Sequence, residues 1–389
     1  MPSLAVLEAT GTTGFVEALR AAWDRGDAVL PVDPRLPAPA RDALLASLRP
    51  DEPVEEGDAL VLATSGSTGA PRGVVLTHDA LRASALAVSR RIGVVADGAV
   101  AGSSDDCWLA CLPLAHVGGL SVVTRALLTG VALEVHPSFD AAAVDASPAS
   151  LVSLVPTALR RIRPERFRVI LLGGSAPPAG LPANVVATYG MTETAGGVVH
   201  DGEPLKGVEA RVDGMGQLHV RGPMLLRCYR DGSDPKDPAG WLATGDSAAV
   251  TEGRVTVHGR LDDLIVTGGE NVWPAPVEES LVRHPAVADA AVTGVADPEW
   301  GQRVVALVVP SDAGSPPTLA GLRAWVAEHL PAYAAPKQVV LVETVPRTAS
   351  GKVRRHALSQ AAAGLVDDPV DDRWTTRWTT GDPGRRAAP

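Results

Sequence analysis

Short runs of aliphatic and β-branched residues recur from Asp58 to Gly259 and alternate with helix-like stretches, as at Ala59–Thr64, Leu151–Val155 and Val169–Leu172. Runs of this kind read as buried strands, and their alternation with helical segments predicts an α/β layer architecture. Gly-rich loops follow several of them, Ser65–Gly69 after the first and Gly173–Gly174 after the third. Open α/β sheets place their sites at the carboxyl ends of strands, so these loops are where chemistry is expected. Beyond Gly259 the pattern changes. Glu278–Arg283 reads as a short helix, Ala290–Val295 and Val304–Val309 as strands, and Thr318–Leu330 sets Leu319, Leu322, Val326 and Leu330 on one helical face. Val339–Val342 completes a compact second unit. The expected organisation is a large N-terminal α/β domain of layered sheets and helices over residues 1–260, a small C-terminal α+β domain over 261–363, and a polar tail over 364–389. The boundary falls near Arg260–Asp262. A tandem Arg-Trp-Thr-Thr repeat at 373–380 lies in the tail, whose composition predicts disorder.

Length and charge narrow the function. At 389 residues the chain exceeds one ordinary core, in keeping with two domains. A net charge of −10 and the absence of any Lys/Arg-rich run argue against nucleic acid or anionic membrane as a partner. The segment from Met1 to Thr13 has no basic start and no continuous apolar core, so it does not read as a signal peptide. No uninterrupted apolar stretch reaches the roughly 18 residues that a membrane helix needs. Cys107, Cys111 and Cys228 lack metal-ligand spacing; Cys107 and Cys111 flank a strand-like run and read as core thiols, and a reduced cytoplasm is the expected compartment.

Candidate chemistry begins at Thr64-Ser65-Gly66-Ser67-Thr68-Gly69-Ala70-Pro71-Arg72-Gly73. Glycines there let the backbone turn tightly and aim N–H groups at an anion; the hydroxyls add donors, and Arg72 adds a cation. The loop is not a Walker motif, because the Gly-Lys-Ser/Thr ending is missing. A flexible linker is the bland alternative. Further along, Tyr189-Gly190-Met191-Thr192-Glu193-Thr194 offers a carboxylate and hydroxyls on a Gly turn, a donor set suited to Mg²⁺ with a nucleotide. Thr244-Gly245-Asp246 supplies a carboxylate able to accept from a ribose diol, and Gly259-Arg260-Leu261-Asp262-Asp263 follows. Thr267-Gly268-Gly269-Glu270-Asn271 lets backbone lie close to a ligand. Near the C-terminus, Pro346-Arg347-Thr348-Ala349-Ser350-Gly351-Lys352 carries a lysine on a Gly/Ser loop, a mobile point charge. Taken singly, each is a surface turn or a solvated charge by default.

This ordered series resembles the acyl-adenylate-forming superfamily of acyl-CoA synthetases, peptide-synthetase adenylation domains and luciferases, from about Ala59 to Leu358. The resemblance implies ATP, Mg²⁺ and coenzyme A. It assigns Thr64 to Gly69 (Thr64, Ser65, Gly66, Ser67, Thr68, Gly69) with Arg72, Gly174 and Ser175 to the nucleotide. It also implies Mg²⁺ on Glu193, a phosphate oxygen on Thr192, adenine beside Tyr189 and Gly190, ribose on Asp246, and a ribose or phosphate contact at Arg260. Lys352 is implied as the catalytic lysine of adenylation, Asp262 as an interdomain hinge, Gly268 and Gly269 as the pantetheine channel, and His116 as a gate over the acyl site, with Gly190 at the substrate as well. Arg72 stands where a lysine is usual and Ser67 where a threonine is; Val266-Thr267 lacks a basic residue that many relatives carry.

The compact start, Pro113-Leu114-Ala115-His116-Val117-Gly118-Gly119-Leu120, Gly173-Gly174-Ser175-Ala176 and the Gly268 loop are similar to o-succinylbenzoate:CoA ligases of menaquinone synthesis, especially the short actinobacterial kind. Such an aromatic dicarboxylate needs an apolar slot and a cation for its unreacting carboxylate. Arg125, nine residues after His116, is the cation expected, with Lys206 in reserve; a surface position is the alternative for Arg125. Rival readings are another aryl- or acyl-CoA ligase, a free-standing amino-acid adenylation enzyme, and a non-catalytic nucleotide-binding scaffold. Retention of Thr192, Glu193, Asp246 and Lys352 together argues against the last.

Overall fold

A computed structural model describes residues 2–65, 71–96, 99–100, 106–347, 353–355, 358 and 376–378. The chain divides into two compact units, one running to Thr244 and including Ala248–Val257, the other made of Gly245–Ser247 and the chain from His258 onward.

In the larger unit, a five-stranded sheet runs in the order Leu4–Glu8, Ala28–Val32, Asp58–Ser65, Pro71–Thr77 and Cys228–Tyr229. Its first three strands are parallel, and the last two add on antiparallel. A seven-stranded sheet has the order Glu203–Pro204, Gly196–His200, Val185–Met191, Val169–Leu172, Leu151–Leu154, Cys107–Ala110 and Ala132–Val135. Five of these strands are parallel, and the alternation of strand and helix along the chain supplies the crossovers that parallel pairing needs. Ala59, Leu60, Val61 and Leu62 are all buried, as expected of a parallel-sheet strand covered on both faces.

The helices that matter for the site start and stop for local reasons. His78–Arg91 is capped by Thr77, whose hydroxyl accepts from the Ala80 N–H, with Asp79 in the first turn and Arg90 and Arg91 in the last, complementing the helix dipole. Val117–Thr129 begins after His116 and ends at Gly130, which takes the left-handed conformation a helix C-terminus favours. Gly119 is required by close approach: a Cβ there would fall 2.5 Å from the Leu112 carbonyl oxygen.

In the smaller unit, the strand Val287–Asp297 pairs antiparallel with Gly301–Pro310, which also pairs with Gln338–Val342 in parallel. Helices Pro274–Val282 and Leu319–Ala327 bury Val277, Leu281, Leu322 and Val326 in a core that includes Val292, Val304, Ala306 and Val339. Within the tail expected to be disordered, Thr376–Trp378 forms a strand beside Gln338–Val342. No helix among the described residues is long and apolar enough to cross a membrane. Cys111 and Cys228 are buried, and burial pushes the Cys111 thiol up to about 12, so it stays protonated.

Candidate active site

The Thr64 loop leaves its strand where Thr64 pairs with Arg72 across the antiparallel ladder. Gly66, Ser67, Thr68 and Gly69 lie outside the described residues, as does the side chain of Ser65; Lys352 lies outside them as well. Arg72 is described. Its guanidinium sits 3.5 Å from the centre of the Tyr229 ring and donates to the Ser233 hydroxyl at 3.3 Å. The Tyr229 hydroxyl in turn donates to Glu193 Oε1 at 3.1 Å. Burial, and next the Glu193 carboxylate, raise the Tyr229 hydroxyl to about 12, so it remains a donor at any working pH. Arg72, Tyr229 and Glu193 thus form one chain of contacts joining the Thr64 loop to the Tyr189–Thr194 motif. Sequence reasoning missed Tyr229, although the chain has only 3 tyrosines and each is conspicuous.

Glu193 sits in the 3₁₀ turn Thr192–Thr194 and is 8% exposed. Thr194 locks the turn, accepting from the Met191 N–H at 2.9 Å and donating to the Gly196 carbonyl at 2.6 Å. The strand before it, Val185–Met191, carries Tyr189 partly buried against the core and Gly190 exposed. Gly190 has no room for a side chain: a Cβ would lie 1.9 Å from the Gly196 carbonyl oxygen. Across the ladder Gly190 pairs with Gly197. Gly173 is similarly constrained, since a Cβ there would fall 2.6 Å from Thr188 Oγ1; Gly174 beyond it has a positive φ of 89° and is exposed together with Ser175. These glycines keep a strip of backbone bare beside the motif.

The donor set suits Mg²⁺. That ion keeps several waters and takes one or two protein carboxylates plus nucleotide oxygens rather than a full protein cage. Glu193 and the half-buried Thr192 match that demand, and no cluster of three or more acidic, His or Cys ligands occurs among the described residues.

His116 precedes the helix Val117–Thr129 and is half-buried. It lies near Asp33, whose carboxyl is held below the usual range first by hydrogen bonds from Arg35 and in smaller part by His116. Arg125 is not on the surface. It is 3% exposed, its guanidinium stands 4.7 Å from the centre of the Trp108 ring, and Nε and Nη1 have no hydrogen-bond partner among the described residues. Desolvation lowers its pKa to about 10, which still leaves it a cation. Lys206 is exposed.

In the smaller unit, Asp246 is 8% exposed and Arg260 Nη1 stands 3.6 Å from its Oδ1. Gly245 permits that approach: its φ is 75°, and a Cβ would lie 2.9 Å from Arg260 Nη2. Asp262 is exposed in the 3₁₀ turn Leu261–Asp263. Gly268 and Gly269, both at positive φ, make the tight turn between Ile265–Thr267 and Glu270–Val272, where a Gly-Gly pair fits a two-residue hairpin. A Cβ on Gly268 would fall 2.8 Å from the Trp300 ring. On either side of the Lys352 loop, Arg347 pairs with Asp289 at 2.7 Å, and Arg355 reaches Glu278 at 2.7 Å and Asp263 at 2.8 Å.

Comparison with known proteins adds an independent line. Residues 47–230 match the family model "AMP-binding enzyme", and residues 276–352 match "AMP-binding enzyme C-terminal domain". A protein of Mycobacterium tuberculosis named "Probable 2-succinylbenzoate–CoA ligase" is 39% identical over 355 residues, covering 84% of this chain and 90% of the relative. A 2-succinylbenzoate–CoA ligase of Bacillus cereus is 34% identical over 361 residues, covering 81% and 72%. Among solved structures, the o-succinylbenzoate CoA synthetase of Bacillus subtilis in complex with its acyl-adenylate intermediate superposes with a TM-score of 0.80 at 26% identity, covering 96% of this chain and 89% of that one. The same Bacillus subtilis synthetase with ATP and magnesium ion gives 0.79 at 27% identity, covering 92% and 89%. From the two domain models and relatives aligned over most of its length, the chain belongs to the AMP-binding enzyme family.

Proposed function

We infer that this chain is an ATP-dependent acid–CoA ligase of the cytoplasm, which converts o-succinylbenzoate to its CoA thioester in menaquinone biosynthesis. In the first step a substrate carboxylate oxygen attacks the α-phosphorus of ATP; the new O–P bond forms as the bond to pyrophosphate breaks. In the second the CoA thiol attacks the acyl carbon, loses its proton and expels AMP. Joining the acid to AMP replaces an oxide leaving group by a good one.

The chain's own groups divide the work. Arg72 and the Thr64 loop supply donors for phosphate oxygens, and Tyr229 fixes Glu193 by hydrogen bond. Mg²⁺, held by Glu193 with Thr192 alongside, would neutralise nucleotide charge. Asp246, with Arg260 beside it, accepts from the ribose. Lys352 would balance charge building up between the carboxylate and the α-phosphate. Lys352 and Gly268–Gly269 serve different steps, and rotation at Asp262 would exchange them. Lys352→Ala is therefore expected to cut adenylate formation by about 10²–10³ while sparing thioester formation from pre-made adenylate. Equal loss in both half-reactions would refute the exchange.

The observation that carries the choice of acid is the buried guanidinium of Arg125 beside the Trp108 ring, whose Nε and Nη1 have no partner among the described residues. A buried cation without a partner is costly, and a substrate carboxylate offsets that cost. The test is pyrophosphate exchange across a panel of acids, followed by detection of CoA thioesters. The reading requires o-succinylbenzoate to rank first; exchange with other acids and none with this one would refute it.

A further inference from the structure

The chemistry above leaves one cluster of buried polar groups unused. His200 ends the strand Gly196–His200, is 1% exposed, and neither ring nitrogen has a partner among the described residues. Its ring covers Gly197, where an added Cβ would fall 2.9 Å from Nε2, and Gly197 pairs with Gly190 of the adenylation motif. A Cβ on Gly197 would also fall 3.4 Å from Thr188 Cβ, and one on Gly173 would fall 2.6 Å from Thr188 Oγ1. Gly173, Thr188, Gly197 and His200 therefore form a row along the bare strip of backbone.

The strand of His200 packs on the helix that carries Arg125, since a Cβ on Gly196 would fall 3.6 Å from Ser121 Cβ, one turn before Arg125 in Val117–Thr129, and the Arg125 charge acts on the His200 ring. Behind Arg125 stands Trp108, fully buried, with its indole N–H also unpartnered among the described residues. Buried polar side chains in native proteins are almost always hydrogen-bonded. A buried guanidinium and a buried imidazole on packed elements, each with nitrogens lacking a partner among the described residues, point to a ligand with acceptor oxygens.

We propose that His200 is the second pole of the carboxylate subsite, its ring N–H donating to one oxygen of the substrate's unreacting carboxylate while Arg125 holds the other. This rests on the preceding reading that the acid is a dicarboxylate, and it adds a specificity residue that none of the motifs contains. Burial first, and then the charges of Arg125 and Arg91, push the imidazole down to about 3, so the ring enters the site neutral and adds a donor without adding a second buried cation. A site built to hydrogen-bond a substrate group rejects analogues lacking it, because its own polar atoms are then left unpaired. His200 thereby turns Arg125 from a general anion attractor into a reader of the dicarboxylate.

The experiment measures kcat/KM for adenylation of o-succinylbenzoate and of its two monocarboxylate counterparts, each lacking one carboxylate. His200→Phe keeps the ring and removes the donor. It is expected to lower the ratio of dicarboxylate to monocarboxylate kcat/KM by about ten- to a hundredfold, the loss of one hydrogen bond to a charged group. His200→Gln, which restores a donor, is expected to recover most of that ratio. A ratio unchanged in His200→Phe, with wild-type thermal melting, overturns the proposal; should that variant fail to fold, His200→Leu set against His200→Gln carries the same comparison. Wild-type protein that adenylates the dicarboxylate while remaining indifferent to residue 200 refutes this inference alone. Wild-type protein that adenylates none of the three acids removes the substrate reading and this inference with it.

Discussion

Each unit of this protein draws an arginine inward, fully buried at Arg125 and half-buried at Arg355, to opposite ends. In the smaller unit Arg355 is compensated on every side described: its guanidinium reaches the carboxylates of Glu278 and Asp263 and the Val292 carbonyl. In the larger unit Arg125 is more deeply buried, yet two of its nitrogens find nothing among the described residues, and Trp108 offers it only a ring face. A compensated buried charge holds backbone in place. One without a partner among the described residues is a standing demand for an anion, and the proposed function assigns that demand to the substrate. On that reading the difference separates residues that hold the machinery from those that read the acid.

Removing the charge in each unit should break the comparison most sharply. Arg355→Leu strands Glu278 and Asp263, so it is expected to destabilise the smaller unit by about 3–5 kcal/mol in denaturant unfolding. Arg125→Leu is expected to do the reverse, leaving stability unchanged or raising it by up to about 1–4 kcal/mol, since no partner is abandoned. The same variant should lose dicarboxylate adenylation; a protein both less stable and equally active would show Arg125 to be structural.

Tyr229→Phe probes the link between Arg72 and Glu193. It deletes the hydrogen bond to the Glu193 carboxylate, and adenylation should fall by the equivalent of about 1.5–3 kcal/mol, read as kcat/KM by pyrophosphate exchange. An unchanged rate would mean that Glu193 is positioned by its turn alone.

The smallest effect concerns acid. The imidazole of His200 titrates at about 3 when folded against an ordinary value of 6.5. Between those values the unfolded chain binds a proton that the folded chain does not, so stability falls as pH drops below about 6.5. The slope from this group approaches about 1.4 kcal/mol per pH unit. His200→Phe should be flatter than wild type between pH 6 and pH 4.5 when the two are compared by thermal melting. Parallel curves would indicate that the ring is solvated.

Periodicity was enough to locate the elements of the smaller unit: the helix expected over Glu278–Arg283 is Pro274–Val282, and the strands expected at Ala290–Val295 and Val304–Val309 lie within Val287–Asp297 and Gly301–Pro310. Motif order was enough to single out Glu193, Asp246 and Arg260 as candidates, and the structure places each beside glycines that a tight turn or close approach requires. Tyr229 and His200 were invisible to that reasoning. Neither lies in a Gly-rich motif, and the groups that act on them are distant in the chain, Glu193 by a hydrogen bond from Tyr229 and Arg125 by its charge on His200.

The sequence by itself determined the class of chemistry, since turn glycines, hydroxyls and carboxylates in a set order are local features written into consecutive residues. Only the tertiary structure decided which charges are satisfied. Burial and hydrogen-bond partners belong to segments far apart in the chain, so Arg125 and Arg355 read alike as letters, and packing gives one of them carboxylate partners while the other has none for Nε and Nη1 among the described residues.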